Sequence, residues 1–179
     1  LAGALPTSRA AGPNTPEGKT LAASPTPVEI ARAGQARVPI VISPESSEPL
    51  KGTAAELASY LQRITGAEFA IKTAGQAGGI TLGTLSQFPD DGLREALAIR
   101  DRYDGVEAYA IRSGPGGVRL LGNTDLGAAH AAHRFLELLG CRWFFPGETW
   151  QVVPKAAELR FDLNEISRPD IWSRKIWFS

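Results

Sequence analysis

The sequence predicts an α+β fold: a mixed, largely antiparallel β-sheet with two main helices packed on one face. Three observations lead there. Short β-branched or alternating runs outnumber helical ones, glycine-rich links join some of them as hairpins, and only two segments carry a long apolar stripe at helical spacing between marked ends. Hairpin-linked strands argue against a doubly wound parallel sheet.

The elements follow in order. VEIARAG from Val28 and VPIVIS from Val38 read as two short strands separated by Gly34. The first helix is framed by Thr53 and Glu56 as a capping box and by Gly66 as its stop. Within it Ala54, Leu57, Ala58, Leu61 and Ile64 share one face, with Glu56, Ser59, Gln62 and Arg63 on the other. EFAI (68–71) and GITLG (79–83) read as strands, and residues 89–105 as a short exposed helix between loops. EAYAIR (107–112) and VRLLG (118–122) form a hairpin, because the glycines of SGPGG tolerate the positive φ of a tight turn. The second helix runs from about Thr124 to Leu139 and stops at Gly140. Ala128, Ala132, Phe135, Leu136 and Leu139 make its apolar stripe; His130, His133, Arg134 and Glu137 lie opposite. CRWFF (141–145) is a further strand, and Leu159, Phe161 and Leu163 alternate with charged residues in the last one.

Composition narrows the function. Nineteen Lys and Arg balance nineteen Asp and Glu in 179 residues, leaving no clustered cations for nucleic acid or an anionic membrane. Apolar runs fall far short of the roughly 20 residues of a membrane helix. The single cysteine, Cys141, excludes an internal disulfide framework and a cysteine-based zinc site, and reads as a buried structural thiol. Residues 1–27 hold five of the thirteen prolines among Ala, Ser, Thr and Gly, which reads as a linker. The opening LAGALP has the small, apolar character of the tail of a signal peptide. The expectation is therefore a secreted or periplasmic protein, with a boundary inside a cytosolic protein as the alternative.

No motif supplies catalytic machinery. His130 and His133 stand at i and i+3 with Glu137 one turn on, whereas a helical zinc-protease motif needs histidines at i and i+4 with a glutamate between them. A solvated or domain-facing surface is the reading, with no metal and no cofactor expected. GNTDLG (122–127) has the place of a phosphate loop, but Thr124 stands where the middle glycine belongs and explains itself as an N-cap beside Asp125. Asp90 with Asp91, and Asp101 with Asp104, fall in surface loops, not in the shielded cleft that a glycosidase acid/base pair requires.

Three segments together are more specific. ELASYLQRITGAEFAI (56–71), ITLGT (80–84) and GAAHAAHRFLELLGCRWFFPGETWQVVP (127–154) resemble the N-terminal accessory domain of large secreted glycoside hydrolases. The likeness is nearest to bacterial proteins with an uncharacterised glycosidase-like barrel. It extends more distantly to the N-terminal domain of family 67 alpha-glucuronidases and the second domain of family 20 hexosaminidases. It covers residues 28–179 and implies a zinc-protease-like fold without its catalytic centre. Histidine at 130 and 133 departs from that pattern, where aromatic residues are common.

The resemblance further implies three parts: a linker (1–27), the α+β domain (28–166), and a short linker with the first strand of a TIM barrel (167–179). The partner is then the catalytic barrel of the same chain, with carbohydrate as a further contact. Arg174 matches an arginine that can reach the sugar in hexosaminidase-like sites. All four tryptophans, Trp143, Trp150, Trp172 and Trp177, lie near the C-terminus, where they either stack on sugar or pack on the barrel. The expected function is a non-catalytic support for that barrel. The alternative is an autonomous carbohydrate-binding module that uses exposed tryptophans such as Trp143 and Trp150.

Overall fold

A computed structural model describes residues 25–169. In chain order it runs β1 (Val28–Arg32), β2 (Gln35–Ala36), β3 (Ile40–Ile42), α1 (Glu48–Thr65), β4 (Ile71–Thr73), β5 (Gly79–Thr84), β6 (Tyr109–Gly114), β7 (Gly117–Gly122), α2 (Asp125–Leu138), β8 (Arg142–Trp143), β9 (Gln151–Val152), β10 (Glu158–Phe161) and β11 (Asn164–Ser167). This is the α+β class expected, with mixed and largely antiparallel pairing: five of the eight strand pairs among the described residues are antiparallel. The six-stranded sheet has the order β11-β6-β7-β5-β3-β4, and its three parallel pairs lie together at the β4 side.

Strand alternation divides the sheet into two buried faces. Ile40, Ile42, Ile80, Leu82, Ile111, Val118 and Leu120 point to the face that carries both helices. Val41, Ala110 and Leu121, each next in sequence to one of those, point to the other. A strand such as Ile-Val-Ile, apolar at every position, is what burial on both faces demands. The β10-β1-β2 sheet adds Ile30, Leu159 and Phe161 to the helix-side core, where Phe161 meets Phe135 of α2 edge-on at 4.8 Å.

The start of α1 differs from expectation. Its N-cap is Ser47, whose Oγ accepts from the Leu50 N–H at 3.3 Å, with Glu48 and Pro49 in the first turn. Thr53 is interior, and its hydroxyl donates to the Pro49 carbonyl at 3.1 Å. Proline in the first turn was the stronger start signal, because its missing N–H and fixed φ cost nothing there. Gly66 does end the helix, in the left-handed conformation at φ 77°. The 114–117 hairpin and the limits of α2, with Thr124 as N-cap, agree with the sequence reading.

Four segments correct it. EFAI is not a strand; Phe69 is buried, but pairing begins at Ile71. Within CRWFF only Arg142 and Trp143 pair, since Pro146 and Gly147 turn the chain at once. Residues 164–167 form β11, which runs antiparallel to β6. Residues 89–105 are a chain of turns, not an exposed helix, and Leu93 and Leu97 from it are fully buried on the second sheet face against Val41, Phe88 and Leu121. An apolar face that no helix covers needs another lid, and this segment supplies it.

Candidate functional site: an aromatic ledge beyond the helix ends

Gly140, at φ 102°, releases the chain from α2; a Cβ there would come within 3.3 Å of the Pro154 ring, which closes the hairpin from the other side. The hairpin β8-β9 then passes over the C-terminal half of α1. Trp143 is half-buried and braced. Its Nε1–H donates to the Tyr60 hydroxyl at 2.7 Å, and the two rings meet edge-to-face at 5.3 Å. Tyr60 in turn donates to Gln151 Oε1 at 3.0 Å, which also accepts from Arg63 Nη1 at 3.1 Å. The Arg63 guanidinium lies 4.9 Å above the Tyr60 ring, a cation–π contact that holds the same cluster.

Outside this brace the rings are bare. Phe144 is 64% exposed, Phe145 67%, Trp150 53% and Val152 50%. Phe145 and Trp150 touch edge-to-face at 5.5 Å, and the Phe144 N–H donates to the Trp150 carbonyl at 3.1 Å, which ties the ledge together across its turn. Half of the large exposed hydrophobic residues of the described chain thus fall within nine positions, 144 to 152. Such a patch offers stacking and apolar contact, not proton transfer.

The other candidates separate. His133 faces Glu56 of α1, Nε2 to Oε2 at 3.3 Å, and its ring stands 6.2 Å from Trp143. Glu137 pairs instead with Arg134 at 3.3 Å. Among the described residues no three His, Cys, Asp or Glu side chains are grouped to hold a metal ion. The glycines of GNTDLG serve packing: a Cβ at Gly122 would stand 2.4 Å from the Ala128 nitrogen, and one at Gly127 the same distance from the Ala108 carbonyl. Thr124 Oγ1 accepts from the Gly127 N–H at 3.0 Å, as an N-cap does. Cys141 is buried in the helix-side core, and burial pushes its thiol pKa up.

Asp90 lies in a loop, as expected, but its carboxylate is not solvated. Its side chain is 11% exposed and accepts from Arg112 Nη1 at 2.9 Å and Arg119 Nη1 at 3.0 Å, two arginines paired across β6 and β7. Asp101 is fully exposed and held below its ordinary pKa by the backbone N–H groups of Asp104 and Tyr103. A second network joins α2, β6 and β11. Arg134 grips Glu165 through Nε at 2.9 Å and Nη2 at 3.1 Å, and the Tyr109 hydroxyl donates to the same carboxylate at 3.2 Å. Its hydrogen bond to Glu165 raises the Arg134 pKa further, while burial drives the Tyr109 phenol up to about 12. Both networks were hidden in the sequence, since their partners lie 22 to 56 positions apart. Of the three candidate binding residues, the structure brings Trp143 and Trp150 into one hairpin, while Arg174 lies outside the described residues.

No family model matches the sequence, and no curated protein is similar to it. Solved structures are. A family GH115 4-O-methyl-alpha-glucuronidase with specificity for decorated arabinogalactans superposes with a TM-score of 0.56 at 22% identity, over 79% of this chain and 18% of that one. The likeness establishes the fold. A Flavobacterium johnsoniae chitobiase (TM-score 0.46, 16% identity, 84% and 21% covered) and a Vibrio harveyi GH20 exo-beta-N-acetylglucosaminidase (0.45, 16%, 88% and 21%) are similar at a level that adds no further argument. The chain spans about a fifth of the length of each of these glycoside hydrolases.

Proposed function

We propose that the chain is the non-catalytic accessory domain of a secreted carbohydrate-active enzyme, a glycoside hydrolase whose catalytic barrel it supports and whose substrate cleft it lines on one side. One observation carries this reading. The fold that makes up most of this chain recurs as less than a fifth of an alpha-glucuronidase, as one part of a large enzyme. The exposed ledge of Phe144, Phe145, Trp150 and Val152 is the surface suited to an apolar partner. Trp143 serves as its strut, because its indole N–H is already engaged by Tyr60. Arg174, outside the described residues, is the proposed sugar contact. On this reading the acid/base carboxylates belong to the barrel, and the chain by itself is expected to leave glycosides intact.

A second reading, an autonomous carbohydrate-binding module, draws on the exposed face of Trp150 beside Phe145. One experiment separates the two. The catalytic barrel that this reading expects, begun at residue 167 so that it keeps its first strand, is expressed alone and titrated with residues 1–166, in parallel with decorated arabinogalactan and N-acetylglucosamine oligomers followed by tryptophan fluorescence. The accessory reading expects the barrel to bind, with loss in Phe145→Asp and Trp150→Asp, and the saccharides to give no saturable signal. Saturable saccharide binding abolished by Trp150→Ala establishes the module instead, and a gene that encodes no barrel refutes the accessory role.

A further inference from the structure

The lid segment ends in a receptacle for one side chain. Arg168, directly after β11, sends Nη2 to the carbonyls of Ala96 and Ala98, each at 2.8 Å, and Nη1 to the carboxylate of Asp104. Arg100 approaches the same carboxylate at 3.7 Å, and the Asp104 N–H donates to Asp101 Oδ1 at 2.8 Å, which tightens the turn around it. The backbone is shaped for this guest. Gly105 sits at φ 92°, and a Cβ there would stand 2.4 Å from the Ala98 carbonyl and 2.9 Å from Arg168 Nη1. Two carbonyls and one carboxylate around a guanidinium make a site for a forked donor, whose two terminal nitrogens divide the three acceptors between them.

We infer that residues 96–105 are a latch for Arg168, which fixes the place and direction in which the chain leaves this domain. Arg168 comes from 63 positions beyond the end of the loop it closes, so loop order and chain exit are one event. Pro169 follows immediately and removes a further degree of freedom, because its ring locks φ. Given the accessory role proposed above, on which this consequence rests, the junction to the barrel is stiff at its root, and the two parts unfold as one unit.

Hydrogen exchange on the 179-residue chain tests the latch itself. In Arg168→Ala the amides of 96–105 exchange faster by roughly tenfold or more, as expected when charge-assisted hydrogen bonds to a loop are lost, while those of β5 and β7 hold. Arg168→Lys keeps the charge but not the fork and restores only part of the protection. Gly105→Ala reproduces the loss with Arg168 intact. Unchanged exchange at 96–105 in Arg168→Ala overturns the latch whatever the chain belongs to. Calorimetry of the full-length protein tests the consequence: one transition in the wild type, split in Arg168→Ala. Two separate transitions already in the wild type overturn the stiff junction but leave the exchange result standing, and a gene without a barrel removes the accessory role alone.

Discussion

Replacing Leu97 with alanine discriminates most sharply between the lid and the exposed helix that the sequence implies. Leu97 has 0% exposure and lies in a small cluster with Val41, Phe88, Leu93, Ala108, Ala110 and Leu121, on the sheet face that the helices leave open. Burying a leucine is worth about 1.5–3 kcal/mol, and the cavity left by Leu→Ala brings the usual total to about 2.7–5 kcal/mol. The lid is a run of turns and can settle partly into the void, so the lower end applies, about 3 kcal/mol. For a domain of this size that is a fall in Tm of roughly 6–12 °C. Urea unfolding followed by circular dichroism reads it as a lower midpoint with an unchanged slope. Leu126→Ala is the control: the side chain is 46% exposed on the first turn of α2, and its loss should stay within about 0.5 kcal/mol. If Leu97→Ala also falls within that margin, the residue is not a core plug and the account of the second sheet face is wrong.

Three further outcomes are expected. Asp90→Ala leaves Arg112 and Arg119 face to face across β6 and β7 without their shared carboxylate, and should cost about 1–3 kcal/mol, a loss that added salt reduces, since the arginines are partly solvated. Tyr109 ties stability to alkaline pH: its folded pKa of about 12 stands above the 10.0 of the free side chain, so its contribution is complete below pH 10 and is lost as the pH rises toward 12; Tyr109→Phe should abolish that step in a pH series of unfolding midpoints. Cys141, buried and with its thiol pKa raised, should resist a thiol reagent under native conditions and react in urea; fast labelling of the folded chain would contradict its place in the core.

Much of the fold was legible because it is written in local physics. The two apolar stripes, the glycine stops at 66 and 140, the Thr124 cap and the 114–117 turn each depend on residues a few positions apart, and all are present where the sequence places them. The single site-level feature legible in the same way was the concentration of tryptophans after Gly140; Phe144 and Phe145, read as part of a strand, were missed because only the early turn at Pro146 and Gly147 leaves them bare. Sequence could not say which of those rings is spent on the domain itself. Trp143 and Trp150 read alike, yet one is engaged by Tyr60 of α1, 83 positions away, and the other is bare.

What tertiary structure alone decided has a common cause: it joins distant groups, whose pairing no periodicity reveals. The parallel arrangement of β3, β5 and β7 depends on long crossovers, and the strand β11 on a partner, β6, more than fifty residues earlier. Leu93 and Leu97 look like the sparse apolar positions of an exposed helix until the sheet's second face claims them. Asp90, Glu165 and Asp104 look like solvated carboxylates until arginines from other elements close on them. Composition and spacing determined the fold class, the two helices and the turn between β6 and β7; the short strands, the lid over the second sheet face and the work of each side chain were decided by burial and charge pairing across the folded chain.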